Sequence, residues 1–248
     1  DFYGDGLLAF EIEGDITQQA DSLPEDSALV SNSGTIIADG GTVTLTTQAA
    51  DDVIDRVINM DGIIQAKTLV KEEGVIVLSG GNHGIVDVSG TMDVSGIEEG
   101  QTGGKVKVLG EKVGLFDGTR INANGSLGGG EILVGGNFQG KGSEPNAQQT
   151  YVAENTKINA STIEKGDGGR VIVWADETTQ YHGDIQAVGG VLHGDGGFVE
   201  VSGKQGLIFD GVVSVGAVEG NVGTILLDPF NILIGNDDPE NNNPGNDG

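Results

Sequence analysis

The chain has 248 residues, with 45 glycines, no cysteine, and 12 basic against 38 acidic side chains, for a net charge of −26. That balance excludes a nucleic-acid reader working through a basic face and disfavours docking to an anionic membrane; the missing cysteines exclude disulfides, thiolate catalysis and cysteine-ligated metals. Five prolines and no Gly-X-Y period exclude collagen, and no apolar run reaches the ~20 residues of a membrane-spanning helix.

The chain opens Asp1-Phe2-Tyr3-Gly4, without the basic and apolar regions of a signal peptide, and reads as an internal piece of a longer protein. From residue 41 onward one motif recurs: glycine, any residue, apolar, any residue, apolar. It begins at Gly41, Gly74, Gly104, Gly130, Gly169, Gly197 and Gly223, with spacings between 26 and 39 residues. A second alternating segment precedes each copy, with inward pairs from Ile36/Ala38 and Ile64/Ala66 through Ile121/Ala123 and Ile158/Ala160 to Val213/Val215. A third, weaker segment carries an apolar residue two before a glycine: Met60, Phe116, Tyr181 and Phe209.

Alternation with a period of two predicts strands, and the runs are too short and too rich in Val, Ile and Thr for helices. Equivalent strands returning once per repeat predict an all-β solenoid, a parallel β-helix of about seven coils with N-terminal entry strands. It is expected over residues 1–235, with a long insertion near 136–168 and an acidic Asn/Pro/Gly-rich tail over 236–248. An antiparallel propeller or sandwich would also alternate, but it does not explain why one face repeats as Ile, Val or Leu in every copy. The register predicts that Lys105, Glu131 and Arg170 occupy consecutive rungs, and that Asn122 and Asn159 adjoin in an amide ladder.

Chemistry-bearing residues are sparse. Asp87, Asp93 and Asp117 are the candidates for a carbohydrate-active acid–base pair, against the plainer reading of solvated faces and turns. Gly166-Asp167-Gly168-Gly169 and Gly194-Asp195-Gly196-Gly197 look like fragments of Ca²⁺ loops, but neither the metal-binding nonapeptide repeat nor the EF-hand spacing is present. His83, His182 and His193 read as surface residues rather than a zinc set. The single tryptophan, Trp174, is expected by alternation to point outward or to lie at a corner. It serves either as a stacking platform or as packing under the insertion, against Phe138 or Tyr151. Leu133 and Phe198 also face outward, so an arm folded over them would cover apolar surface.

Several long segments carry a resemblance. They include Asp1 to Phe10, Gly40 to Val53, Gly136 to Gly142, Pro145 to Tyr151, Gly169 to Thr179, Gly196 to Lys204 and Gly223 to Pro229. In this order they resemble the region after the secretion domain in two-partner-secretion exoproteins of the filamentous haemagglutinin family. The resemblance implies a right-handed parallel β-helix, exported through a dedicated outer-membrane transporter and secreted or displayed on the surface of a Gram-negative bacterium. The secretion domain that contacts the transporter is not recognised here, and no family binding residue can be carried over.

The expectation is therefore a non-enzymatic structural or adhesive exoprotein segment without a cofactor. It would be a rod presenting loops to glycans or proteins of host or neighbouring cells, with Trp174, Tyr151 and Phe138 as candidate binding residues and no nucleic-acid partner. A polysaccharide-processing β-helix enzyme and a self-associating extracellular filament are the alternatives.

Overall fold

The computed structural model describes residues 7–11, 28–47, 55–69 and 72–234. The expected tail and most of the N-terminal segment lie outside the described residues. Within them the chain winds through three parallel sheets of eight, eight and seven strands. Sheet 1 comprises Leu7–Glu11, Thr42–Thr46, Val75–Ser79, Lys105–Leu109, Glu131–Val134, Arg170–Ala175, Phe198–Gly203 and Thr224–Leu226. Sheet 2 comprises Val30–Asn32, Asp55–Met60, Gly84–Val88, Lys112–Leu115, Gln149–Val152, Thr178–Tyr181, Gly206–Phe209 and Ile232–Ile234. Sheet 3 comprises Thr35–Ile37, Ile63–Gln65, Thr91–Asp93, Arg120–Asn122, Lys157–Asn159, Asp184–Gln186 and Val212–Ser214. Each coil visits sheet 2, then 3, then 1, which makes the molecule a parallel β-solenoid of about seven turns.

Like sits on like. Val43, Ile76, Val106, Ile132, Val171 and Val199 form one column of buried side chains inside sheet 1. Ile64, Met92, Ile121, Ile158 and Ile185 form the matching column inside sheet 3. Each fully buried Val, Ile or Leu contributes about 1.5–3 kcal/mol. From Gly104 on, the glycine that opens each sheet 1 motif marks a corner where coils nearly touch: a Cβ on Gly169 would lie 2.2 Å from the carbonyl oxygen of Gly130 one coil below. Near the C-terminal end Tyr181 stacks on Phe209 at 5.3 Å and donates its hydroxyl to the Val212 carbonyl at 3.3 Å. Burial, with Asp184 nearby, pushes that hydroxyl far above its usual titration range, so it stays protonated.

The charged register holds. Lys105, Glu131 and Arg170 are consecutive rungs, and Arg170 Nη1 lies 2.8 Å from Glu131 Oε1. Lys105 turns the other way, to Glu73 at 3.1 Å. Asn122 and Asn159 are paired rungs, but their side-chain oxygens accept from the backbone N–H groups of Asn124 and Ser161, at 3.2 and 3.1 Å. Local turns thus take the oxygens that an amide ladder would use.

The third segment is corrected at one place. Leu115, not Phe116, is the inward partner of Val88 and Val152. The corner between sheets 2 and 3 takes two residues in the coils ending at Met60 and Val88, and four after Leu115 and Val152. In the longer corners Thr119 and Thr156 are fully buried, their hydroxyls donating to carbonyls of sheet 2, and Phe116 is left outside, 41 % exposed. Within the stretch 136–168 the strands Gln149–Val152 and Lys157–Asn159 continue the coils, and the irregular arm spans about residues 135–148.

Glu131→Lys places three cations in one column. It is expected to destabilise the fold by about 0.2–1 kcal/mol for each like-charge pair formed, an effect that shrinks in high salt. Thermal melts at two ionic strengths check both parts.

Candidate functional site

Two outer faces carry the expected site residues, and the structure separates them. Trp174 and Phe138 meet on the outside of sheet 1. Tyr151 lies on the outside of sheet 2.

On sheet 1, outward Leu133, Ile172 and Trp174 form a small second core, with Phe138 and Phe198 packed against it. The cover is the arm, which makes one 3₁₀ turn at Phe138–Gly140. Trp174 is only 4 % exposed, so it packs under the arm instead of offering a free platform. Its indole N–H donates to Asp176 at 3.1 Å, and Asp176 also accepts from Asn146 Nδ2 at 3.2 Å. The Phe138 ring meets Phe198 edge-on at 5.7 Å, with the Arg170 guanidinium 5.7 Å from its centre. Lys107 holds the far side of the arm through Glu144 at 2.6 Å, and this bond keeps the Glu144 carboxyl below its usual range.

Glu200 also lies beneath this cover. It continues the outward row of Leu133 and Ile172, yet it is completely buried. It accepts the backbone N–H of Gln139 at 3.1 Å, and Gln139 has a left-handed φ of 53°. Burial raises its pKa, and the Gln139 bond opposes that rise. An outward Glu on an exposed strand reads as solvated, so only its apolar row-mates hinted at this position.

On sheet 2 the outward row of the central coils runs Asp87, Gly114, Tyr151 and Gln180. Phe116 folds back over Gly114, where a Cβ would lie 2.5 Å from the Phe116 ring. Phe116 and Tyr151 are 5.8 Å apart between ring centres, and Tyr151 is 6.1 Å from the His182 ring. Tyr151 separates two hollows. One of about 350 Å³ is lined by Asp87, Lys112, Phe116, Gln149 and Gln180; the other, of about 360 Å³, by Glu154, His182 and Asp210.

The remaining candidates are dispersed. Asp87 belongs to sheet 2 and Asp93 to sheet 3, and Asp117 sits in the corner beside Phe116, accepting from the Asn155 backbone at 3.3 Å. Asp93 accepts from the Ser95 backbone and lies 3.5 Å from Lys67. The carboxylates of Asp167 and Asp195 each accept a backbone N–H from the equivalent turn one coil on, Asp195 and Asn221 respectively, at 2.8 and 2.7 Å. Those two bonds give the aspartate of each Gly-Asp-Gly-Gly turn a structural partner in the next coil. Among the described residues no three His, Asp or Glu side chains converge as a cation site. His83 and His182 each face a carboxylate of their own, Glu111 at 3.3 Å and Asp210 at 3.8 Å.

No model of a known protein family matches the chain, and no curated protein matches it. Among solved structures, the crystal structure of the HMW1 secretion domain from Haemophilus influenzae is similar, with a TM-score of 0.59 and 28% identity over 83% of this chain. The chain spans about half, 49%, of the length of that structure.

Trp174→Ala opens a cavity beneath the arm and is expected to cost about 3–5 kcal/mol locally, with faster tryptic cleavage after the exposed Lys141 while the coils stay folded. For Glu200 the raised pKa means stability that is present below its unfolded value and lost as pH rises through the folded one. Glu200→Gln keeps an acceptor for Gln139 and removes the ionisation. Its melting temperature is expected to exceed that of the unmodified protein at pH 8 and to match it near pH 4.

Proposed function

We propose that the chain is a segment of a secreted β-helical exoprotein of the two-partner-secretion type, related to the filamentous haemagglutinins. The observation that carries this reading is the likeness to the HMW1 secretion domain at 28% identity over 83% of the chain. The family-like segments gathered in the sequence support it. So does the architecture: a solenoid whose coils contact only their neighbours can fold progressively as it emerges from a pore, and a chain without cysteines forms no disulfide that would block threading.

In this reading the segment acts as a stiff shaft, not as an enzyme. Its acids are spent on turns and ion pairs around several faces, which supports a structural role over a polysaccharide-cleaving groove. The transporter would be engaged by a secretion domain. The similar solved structure is itself named as one, so our placement of this chain just after such a domain is part of the proposal.

Placed behind a two-partner secretion domain and expressed with the matching outer-membrane transporter, the chain is expected at the cell surface or in the medium, accessible to added protease. Retention in the periplasm would contradict the reading.

A second reading, end-to-end association, has one observation in its favour. In the last described coil Phe230 is 87 % exposed, and Ile225, Ile232, Leu233 and Ile234 are all 43 % or more exposed. These strands are the last in their sheets, and an open strand edge is a template for pairing. Light scattering that grows with concentration, and falls after Ile232→Lys, is the expected signature; a constant monomer mass rules the association out.

A further inference from the structure

We infer that the outer face of sheet 2 is a binding site for a neutral, hydroxyl-rich oligosaccharide, laid along the solenoid axis over Phe116 and Tyr151. This deepens the exoprotein reading and rests on it for the biological source of the glycan.

The corner after Leu115 carries two residues more than those after Met60 and Val88, and it expels Phe116 from the interior. The absence of a side chain at Gly114 then lets the Phe116 ring lie against the sheet, in the row between Asp87 and Tyr151. Tyr151, one coil further, leaves a ring 38 % exposed, 5.8 Å from the first. On sheet 1 the comparable apolar row is sealed by the arm, whereas these two rings have no such cover among the described residues.

The two rings ascend coil by coil, so a linear polymer can meet one and then the other. A pyranose presents an apolar C–H face that packs on an aromatic face, and its hydroxyls radiate from the rim. The rim of this strip is polar on both sides: Gln149 and Gln180 beside one hollow, Glu154 and Asp210 beside the other. Carboxylates and carboxamides accept and donate the bonds that sugar hydroxyls make, with carboxylates as the stronger acceptors.

Charge narrows the class. The chain carries −26 overall, and around Tyr151 the carboxylates of Asp87, Glu154 and Asp210 outnumber the one lysine lining the hollows, Lys112. A sulfated or uronate-rich chain would bring like charge onto carboxylates. A neutral glycan avoids that repulsion.

The test is calorimetric titration of the 248-residue chain with neutral hexasaccharides (β-1,4-glucan, β-1,3-glucan, α-1,4-glucan and β-1,4-mannan), alongside a heparin hexasaccharide. At least one neutral probe is expected to bind saturably, tenfold or more tighter than heparin. Tyr151→Ala and Phe116→Ala are each expected to weaken it at least tenfold. Gly114→Val, which drives the Phe116 ring off the sheet, is expected to weaken it likewise. Ile37→Ala, on the exposed side of sheet 3, is expected to leave it unchanged, and melting curves establish that each variant is folded. Failure of all four neutral probes, binding that survives both aromatic substitutions, or equal affinity for heparin would each overturn the proposal. None of these outcomes touches export, which the secretion assay reads separately.

Discussion

Parallel pairing of each coil with the coil beneath it is the constraint on which everything else in this protein depends. A strand in such a ladder places every side chain directly over its counterpart one coil away. Interior columns must therefore be apolar along their length, and Val43, Ile76, Val106, Ile132, Val171 and Val199 satisfy that condition in sheet 1. The same geometry stacks Glu131 beside Arg170, and sets the two aspartates of the Gly-Asp-Gly-Gly turns to cap backbone groups of the next coil. Corners obey it too, since neighbouring coils approach so closely there that glycine is the residue that fits.

Insertions are the freedom left by this constraint. The ladder fixes the strands but not the number of residues at a corner, and the two outer features of the molecule both arise from corner length. The arm after Val134 folds back over an outward apolar row, and in doing so it buries Glu200. The lengthened corner after Leu115 turns Phe116 outward and leaves an aromatic strip uncovered. One insertion closes a surface and the other opens one.

The arm also sets two carboxylates against each other in their response to pH. Glu144 is held ionised by Lys107, so its contribution is present above the ordinary carboxylate range and weakens on acidification. Glu200 is strained as an anion by burial and relaxes when protonated. The arm is thus fastened from opposite directions at its two ends. Glu144 is the contact weakened by acid, and Glu200 is the one weakened by alkali.

The sequence by itself determined the architecture. Seven glycine motifs with a shared apolar face specify parallel stacking because the side-chain period is two, and a one-residue slip would turn each core column to solvent. It also determined the rungs of Lys105, Glu131 and Arg170, and the outward direction of Trp174, Leu133 and Phe198. Only the tertiary structure decided which outward residues meet water. Trp174 and Glu200 both point away from the core, and both are buried because an arm some 35 to 60 residues earlier in the chain lies across them. Phe116 fits the apolar position of its motif and is nevertheless exposed, because Leu115 takes that place and the longer corner absorbs the offset. Local alternation fixes which way a side chain points; what lies above it depends on loops whose paths no local pattern encodes.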